Sequence, residues 1–527
     1  VRRLDTSMRI FPQSPYTVNL EIQALKSFSG NIYEKVPSSF SVSNVSADGV
    51  VNSKDDVKII SWPAKMSAGD RLALNYTYDA PDISPQFYLL GPLEFEQTTL
   101  DSDNGQTTPT IVFTEPRAWQ IATDATACSS SGSSGNWGTA SIWASPCNVS
   151  GGPTVNNDVT IINAAHTISV EASTTRAAYS ITFTAGNKNT TLALTDSSAV
   201  LNVSAGVTIN ATSNGYTKQV TVGANTLTAA SISLAATTNS GRIAQITLST
   251  GTVTVSGSIT SSGIGSNNVV FSSSGTINVG GDFTPSSLTC STGKVNANGS
   301  SAQSLGAFTY YNLDINNTGN SSTYVSFAGN PTISGGLNIT DGTIDFNSRT
   351  VGVTGASTIA SAGTAYFSSS TGTKTFSGNV SVSGIWNENA AVAIAFGGNL
   401  TNNASTWTAS TGTHTFSGSS KTINGSSTTT IPNLTINGTT GNSGTLVVST
   451  ILAGSSTLTN NAGGTLKIGA ASADLTITGL TASASTNTVE YNGTAGQTVE
   501  AITYSNLTIS NASTDGVTFD GSTTVNN

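Results

Sequence analysis

A short phrase of β-favouring residues, written several times with variations, limits this chain to very few folds. From Gly397 to Gly441 the sequence runs GGNLTNNASTWTASTGTHTFSGSSKTINGSSTTTIPNLTINGTTG. Within it Thr-His-Thr-Phe, Lys-Thr-Ile and Asn-Leu-Thr-Ile alternate apolar side chains with Ser, Thr or Asn, and Gly, Ser and Asn separate the runs. A period of two bounded by turn residues is the pattern of a half-buried strand and leaves no room for a helix. The phrase recurs. Gly280-Gly281-Asp282-Phe283-Thr284 leads through Ser291-Thr292-Gly293 to Tyr310-Tyr311-Asn312-Leu313-Asp314-Ile315, and Asn492-Gly493 leads to Tyr504-Ser505-Asn506-Leu507-Thr508-Ile509.

Three Asn-Leu-x-Ile anchors begin at Asn312, Asn433 and Asn506. The two intervals between them are close to five and three times a unit of about 24, and a repeat of that length made only of strands and turns predicts a β-solenoid of stacked coils. The runs Thr371-Gly372-Thr373-Lys374-Thr375-Phe376 and Thr411-Gly412-Thr413-His414-Thr415-Phe416 are spaced by no multiple of that unit, so the coils differ in length. Inward Val, Ile, Leu and Phe are expected to stack one coil on the next at ~4.8 Å, with turn Asn residues forming ladders.

The succession Gly-Asn-Leu-Thr-Asn-Asn, Thr-Gly-Thr-x-Thr-Phe-x-Gly and Asn-Leu-Thr-Ile-Asn resembles the repeats of large secreted bacterial surface proteins of adhesin type, which are predicted to form right-handed parallel β-helices. The resemblance covers the chain from the neighbourhood of Asp158 to its end. It implies an architecture and an extracellular, cell-surface location, and it brings no catalytic residues.

Charge divides the chain. Residues 1 to 127 hold 10 of the 19 Lys and Arg and 15 of the 28 Asp and Glu, so the much longer remainder is almost uncharged. In the charged part, Val18-Asn19-Leu20-Glu21-Ile22, Val36 to Val42, Ile59-Ile60-Ser61-Trp62 and Leu72 to Tyr78 read as short strands of an antiparallel sandwich. Val-Pro-x-x-Phe-x-Val, Ile-x-Trp and Ala-Gly-Asp-x-Leu-x-Leu-x-Tyr, in that order, resemble the immunoglobulin-like modules of bacterial and archaeal surface proteins. The fold expected is therefore all-β: an immunoglobulin-like β-sandwich over 1-115, a connector and N-terminal cap over 116-152, and a parallel β-helix over 153-527. Asp101 to Gln106 read as a polar tip or linker, and Arg117 to Ala122 as a docking segment. Val517 to Gly521 opens a new rung, so the helix is expected to continue beyond Asn527.

Cys128 and Cys147 lie 19 apart in a Gly/Ser-rich loop that also carries Trp137 and Trp143. A disulfide between them suits an exported protein and contributes ~3 kcal/mol by closing the loop; two unpaired thiols are the alternative. The two Trp rings read either as a cover for the open end of the first coil or as surface-loop aromatics.

The same residues exclude much chemistry. A net charge of −9 offers polyanions no hold, so no nucleic acid partner is expected. No apolar run approaches the ~18 residues of a membrane span. No nucleophile elbow, phosphate loop or zinc signature is present, so neither catalytic residues nor a metal or cofactor are expected. Asp341 and Asp345 are too far apart along a strand for paired acid catalysis, while Asp314 and Asp341 could meet on adjacent coils. His166 and His414 are too many coils apart to share a site, and His414, in the slot that Lys374 fills in the sister repeat, reads as outward-facing.

The function expected is that of an extracellular structural or adhesive protein, a stiff rod or a component of a filament or surface layer that associates with itself. The alternative is a polysaccharide-binding or polysaccharide-degrading β-helix. A glycan-binding version needs exposed aromatics in a row, for which Trp386, Trp407 and Tyr366 are the candidates; core filling explains the same three residues.

Overall fold

The computed structural model describes residues 1–4, 9–10, 15–80, 86–100, 107–116, 118–123, 126–195, 198–236, 241–263, 265–319 and 324–527. The Asp101 to Gln106 tip and Arg117 lie outside the described residues. Among those described, helical structure is confined to single turns at Ala140–Ile142 and Ser472–Asp474.

The N-terminal region holds two antiparallel sheets and a third, mixed sheet of Arg9–Ile10, Trp119–Thr123 and Gln86–Leu90. One antiparallel sheet is ordered Arg2–Leu4, Tyr16–Gln23, Arg71–Asp79, Ser41–Ser43; the other Thr107–Thr114, Glu94–Leu100, Phe28–Pro37, Val57–Met66, Val50–Lys54. Their alternating apolar residues, among them Val18, Leu20, Ile32, Val36, Ile60, Trp62, Leu74 and Tyr76, fill one buried core. One acid sits inside it: Glu34 accepts from Arg3 Nη1 at 2.8 Å and from the Tyr76 hydroxyl at 3.0 Å, and Arg3 Nη2 also reaches Glu115 at 2.7 Å. Those charge-assisted bonds offset the cost of burying the carboxylate. Trp119–Thr123, placed by the sequence reading in the connector, is a strand antiparallel to Gln86–Leu90 and so belongs to this region. Cys128 and Cys147 are joined in a disulfide, and Trp137 and Trp143 are buried, which removes the surface-loop alternative for the two rings.

From about residue 158 to 525 the chain is a parallel β-solenoid of about 16 turns. A turn carries three strands, one on each of three faces. In the turn that begins at Asn312 they are Asn312–Asn316 on the first face, Tyr324–Phe327 on the second and Thr332–Ile333 on the third. Leu337–Asp345 pairs through its first half with the first of these and through its second half with the second, so one strand can bend across a corner. Alternation gives each strand an inner and an outer set: in Thr276–Val279, Ile277 and Val279 are buried and Thr276 and Asn278 face out.

Register explains the irregular spacing. Lys374 stands opposite Ile394, Ile394 opposite His414 and His414 opposite Leu434, three equal steps, whereas the step from Thr190 to Lys218 is longer and that from Thr488 to Asn506 shorter. The coils thus differ in length, as the spacing of the two Thr-Gly-Thr runs requires. Asn312 lies on the first face, Asn433 on the third beside Thr413–Phe416, and Asn506 on the second beside Thr488–Tyr491. The intervals between these anchors are thus not whole numbers of turns. Asn-Leu-x-Ile marks a strand with two inward aliphatics, and any face can use it.

Candidate functional site

At a corner the backbone changes direction, and carbonyls that turn inward lose access to water and to the ladder of the next turn. A buried carbonyl without a donor is costly. The solenoid meets this with a polar side chain at the first inward position after the corner, which bonds the carbonyl two residues earlier. His166 Nδ1 lies 2.9 Å from the Ala164 carbonyl, His414 Nδ1 2.9 Å from that of Gly412, and Thr440 Oγ1 donates to Gly438 at 2.9 Å. Lys374 Nζ serves four carbonyls, those of Thr371 and Gly372 in its own turn and of Asn347 and Arg349 in the turn before. Lys374 and His414 are both 0% exposed. The expectation that His414 faces outward is thus corrected: the slot shared by Lys and His is an inward corner cap, and what the two side chains have in common is a donor.

A longer version uses glutamine. Gln303 accepts from Gly299 N–H at 3.0 Å and donates to the carbonyls of Val279 and Gly281 at 2.9 and 2.7 Å. Gln497 repeats this with Gly493 at 2.8 Å and with Ile468 and Ala470 at 2.8 and 2.9 Å. In both cases the glutamine follows the Gly of an Asn-Gly pair by four positions. Lys218 is a further buried donor, bonded to Thr190 Oγ1 at 2.8 Å and Asn163 Oδ1 at 2.9 Å. Burial lowers Lys218 and Lys374 from the usual lysine value of 10.5 to about 8. Near the C-terminal end the donors become an amide ladder, in which Asn442 Nδ2 bonds Asn460 Oδ1 at 2.8 Å and Asn487 Nδ2 bonds the Asn460 carbonyl.

One inward cluster holds more than a cap. Glu388 ends a second-face strand, Ile385–Glu388, with its side chain wholly buried. Its oxygens take the Trp386 indole N–H at 2.7 Å, the Ser410 N–H and hydroxyl at 2.8 and 2.9 Å, and lie 2.9 and 3.1 Å from His414 Nε2. Glu388 escaped the sequence reading because nothing in the strand pattern separates an inward Glu from an outward one.

The outer surface is a different chemistry. In register along the first face stand Asn202, Thr228, Thr254, Asn278, Asn296, Asp314 and Asn338. Neighbours bond directly, Thr228 to Asn202 at 2.8 Å, Asn296 to Asn278 at 2.9 Å and Asn338 to Asp314 at 2.9 Å. The acids are occupied locally. Asp314 also pairs with Lys294 at 2.9 Å; Asp341 takes the Gly342 N–H at 2.7 Å and stands opposite Asn316, so it does not stack on Asp314. Asp345 accepts from the Ser368 hydroxyl and the Asn347 N–H. Among the described residues no three of His, Cys, Asp and Glu gather as a metal-ligand set.

Of the three aromatics expected to line a glycan surface, Trp386 is 0% exposed and cannot reach one: it is an inward residue, packed between Phe367 at 4.8 Å and Trp407 at 5.1 Å. Trp407 is half-buried and donates its indole N–H to the Thr430 carbonyl. Tyr366 faces outward on the second face and stacks on Tyr324 with centroids 5.4 Å apart. Tyr324 was missed because it is two turns from Tyr366, and only the register brings the rings together.

Comparison of the chain with protein-family models, with curated proteins and with solved structures finds no match.

Proposed function

We propose that this chain is an exported, non-enzymatic surface protein in which the solenoid serves as a stiff spacer and its outer faces, or the N-terminal sheets, make adhesive or self-associating contacts. The observation that carries the reading is the division of chemistry between inside and outside. Interior caps and ionisable groups are bonded to corner backbone, to each other or to neighbouring Thr, Asn, Ser and Trp side chains, and the outer row is a ladder of hydroxyls and amides whose acids are held by their own turns or by a neighbouring Lys. Stiffness follows from a continuous ladder of main-chain bonds around an aliphatic and aromatic core. A surface with so little charge gives a glycan hydroxyls and amides to meet, and the half-exposed Tyr324 and Tyr366 rings are where stacking on a sugar would start.

Electron microscopy of the native material tests the structural reading, with rods, a lattice or filaments as the expected result. Incubation with neutral and acidic polysaccharides tests the enzymatic alternative. Release of reducing ends by the purified chain would overturn the proposal.

A further inference from the structure

We propose that His414 and Glu388 form a charged joint between successive turns, an imidazolium locked on a carboxylate in the core. Counting donors leads there. His414 Nδ1 lies 2.9 Å from the Gly412 carbonyl, which can only accept, so Nδ1 carries a hydrogen. His414 Nε2 lies 2.9 and 3.1 Å from the two oxygens of Glu388. Those oxygens already take three other donors, the Trp386 indole N–H and the N–H and hydroxyl of Ser410. Three donors hold a carboxylate in its ionised form. The hydrogen between Nε2 and Glu388 sits on one of the two, and the three donors already on the carboxylate place it on Nε2. Without that hydrogen a nitrogen lone pair would face a buried carboxylate from which water is excluded, the arrangement a folded core tolerates least.

Among the described residues no other charged group is bonded to the ring. In its inward column Ile394 precedes it and Leu434 follows. Lys374, two turns earlier, uses its ammonium on four carbonyls. Thr413 and Thr415 on its own strand face outward. From the second-face strand, Trp386 and Glu388 are the polar groups that reach the cluster. The other histidine supplies a contrast. His166 Nδ1 faces the Ala164 carbonyl, but its Nε2 lies 3.1 Å from the Ser130 hydroxyl, which can donate, so a neutral ring satisfies every partner.

Position gives the pair a structural consequence, since Glu388 and His414 are 26 residues apart and the bond spans from one turn to the next.

Only two histidines are present, so selective labelling reads both. In the folded wild-type chain labelled with nitrogen-15 histidine, at about pH 7.5, one ring is expected with both nitrogens protonated and the other with one. Two singly protonated rings in the folded chain overturn the joint.

Discussion

Replacing Gln303 with Met tests the corner-cap account, because the two side chains have nearly the same length and differ in the amide. Four bonds are lost, the fourth being the one that Gln303 accepts from Asn317 Nδ2. The Val279 carbonyl keeps a ladder bond from Asn298 N–H at 3.0 Å, and Asn317 Nδ2 keeps the Ser301 carbonyl at 2.8 Å. The Gly281 carbonyl and the Gly299 N–H are left without their partner. Each stranded group costs about 1–3 kcal/mol, with the half-buried Gly281 at the low end, and the thioether recovers part of this by burying apolar surface; the net loss expected is about 3 kcal/mol. Gln497→Met repeats the experiment at the second copy. Ile468 there keeps the N–H of Asn492, Asn511 keeps the Ala495 carbonyl at 2.8 Å, and Ala470 and Gly493 are stranded, so a loss of the same size is expected. Urea unfolding gives the magnitude, and hydrogen exchange of peptides covering 299–317 and 493–511 locates it. Losses below about 0.5 kcal/mol at both sites, within the range of ordinary surface substitutions, would refute the claim that corner carbonyls need a side-chain donor.

A Cβ at Gly412 would lie 1.8 Å from the Val392 carbonyl oxygen and 2.5 Å from its carbon, so Gly412→Ala should cost about 3 kcal/mol or more, while Gly352→Ala, with nothing within 4 Å, should stay within about 0.5 kcal/mol in the same denaturation assay. Cys128→Ser opens the loop closed with a sequence separation of 19 and should lower stability by about 3 kcal/mol; a thermal melt of the wild type in reductant should reproduce the loss. Lys218 is drawn from 10.5 to about 8 by burial, so above about pH 8 the unfolded chain binds a proton that the folded chain does not. Its share of stability therefore rises between about pH 8 and 10.5, on the order of 2 kcal/mol, and Lys218→Met should flatten that rise in a series of urea midpoints.

The strand phrase, the turn residues between its copies and the fall in charge after residue 127 were enough to place antiparallel sheets first in the chain and a parallel solenoid after them. They suffice because alternation and turn chemistry are local properties, readable within a short window. The disulfide partners and the buried Leu and Ile of the Asn312 and Asn433 runs were legible for the same reason, whereas Ile509 of the third run is exposed. Face and direction were not. Lys374 and His414 sit in Thr-x-Thr surroundings that read as solvent-exposed, yet each follows a Gly by two positions, and that Gly-x-donor spacing was the signal in the sequence for an inward cap. It became readable only once the corner carbonyls were located.

What the amino-acid order determined by itself was a period-two alternation and the places where it breaks, hence strands, turns and stacking. Which turn meets which was decided by the tertiary structure, because the step from one turn to the next varies in length, unequal steps can be summed in many ways, and the register alone selects one. That register buries Glu388 against His414, hides Trp386 from any ligand, and brings Tyr324 to Tyr366 on an outer face. Side chains that meet between turns are separated by a whole turn of sequence, and only the main-chain ladder brings them within ~5 Å.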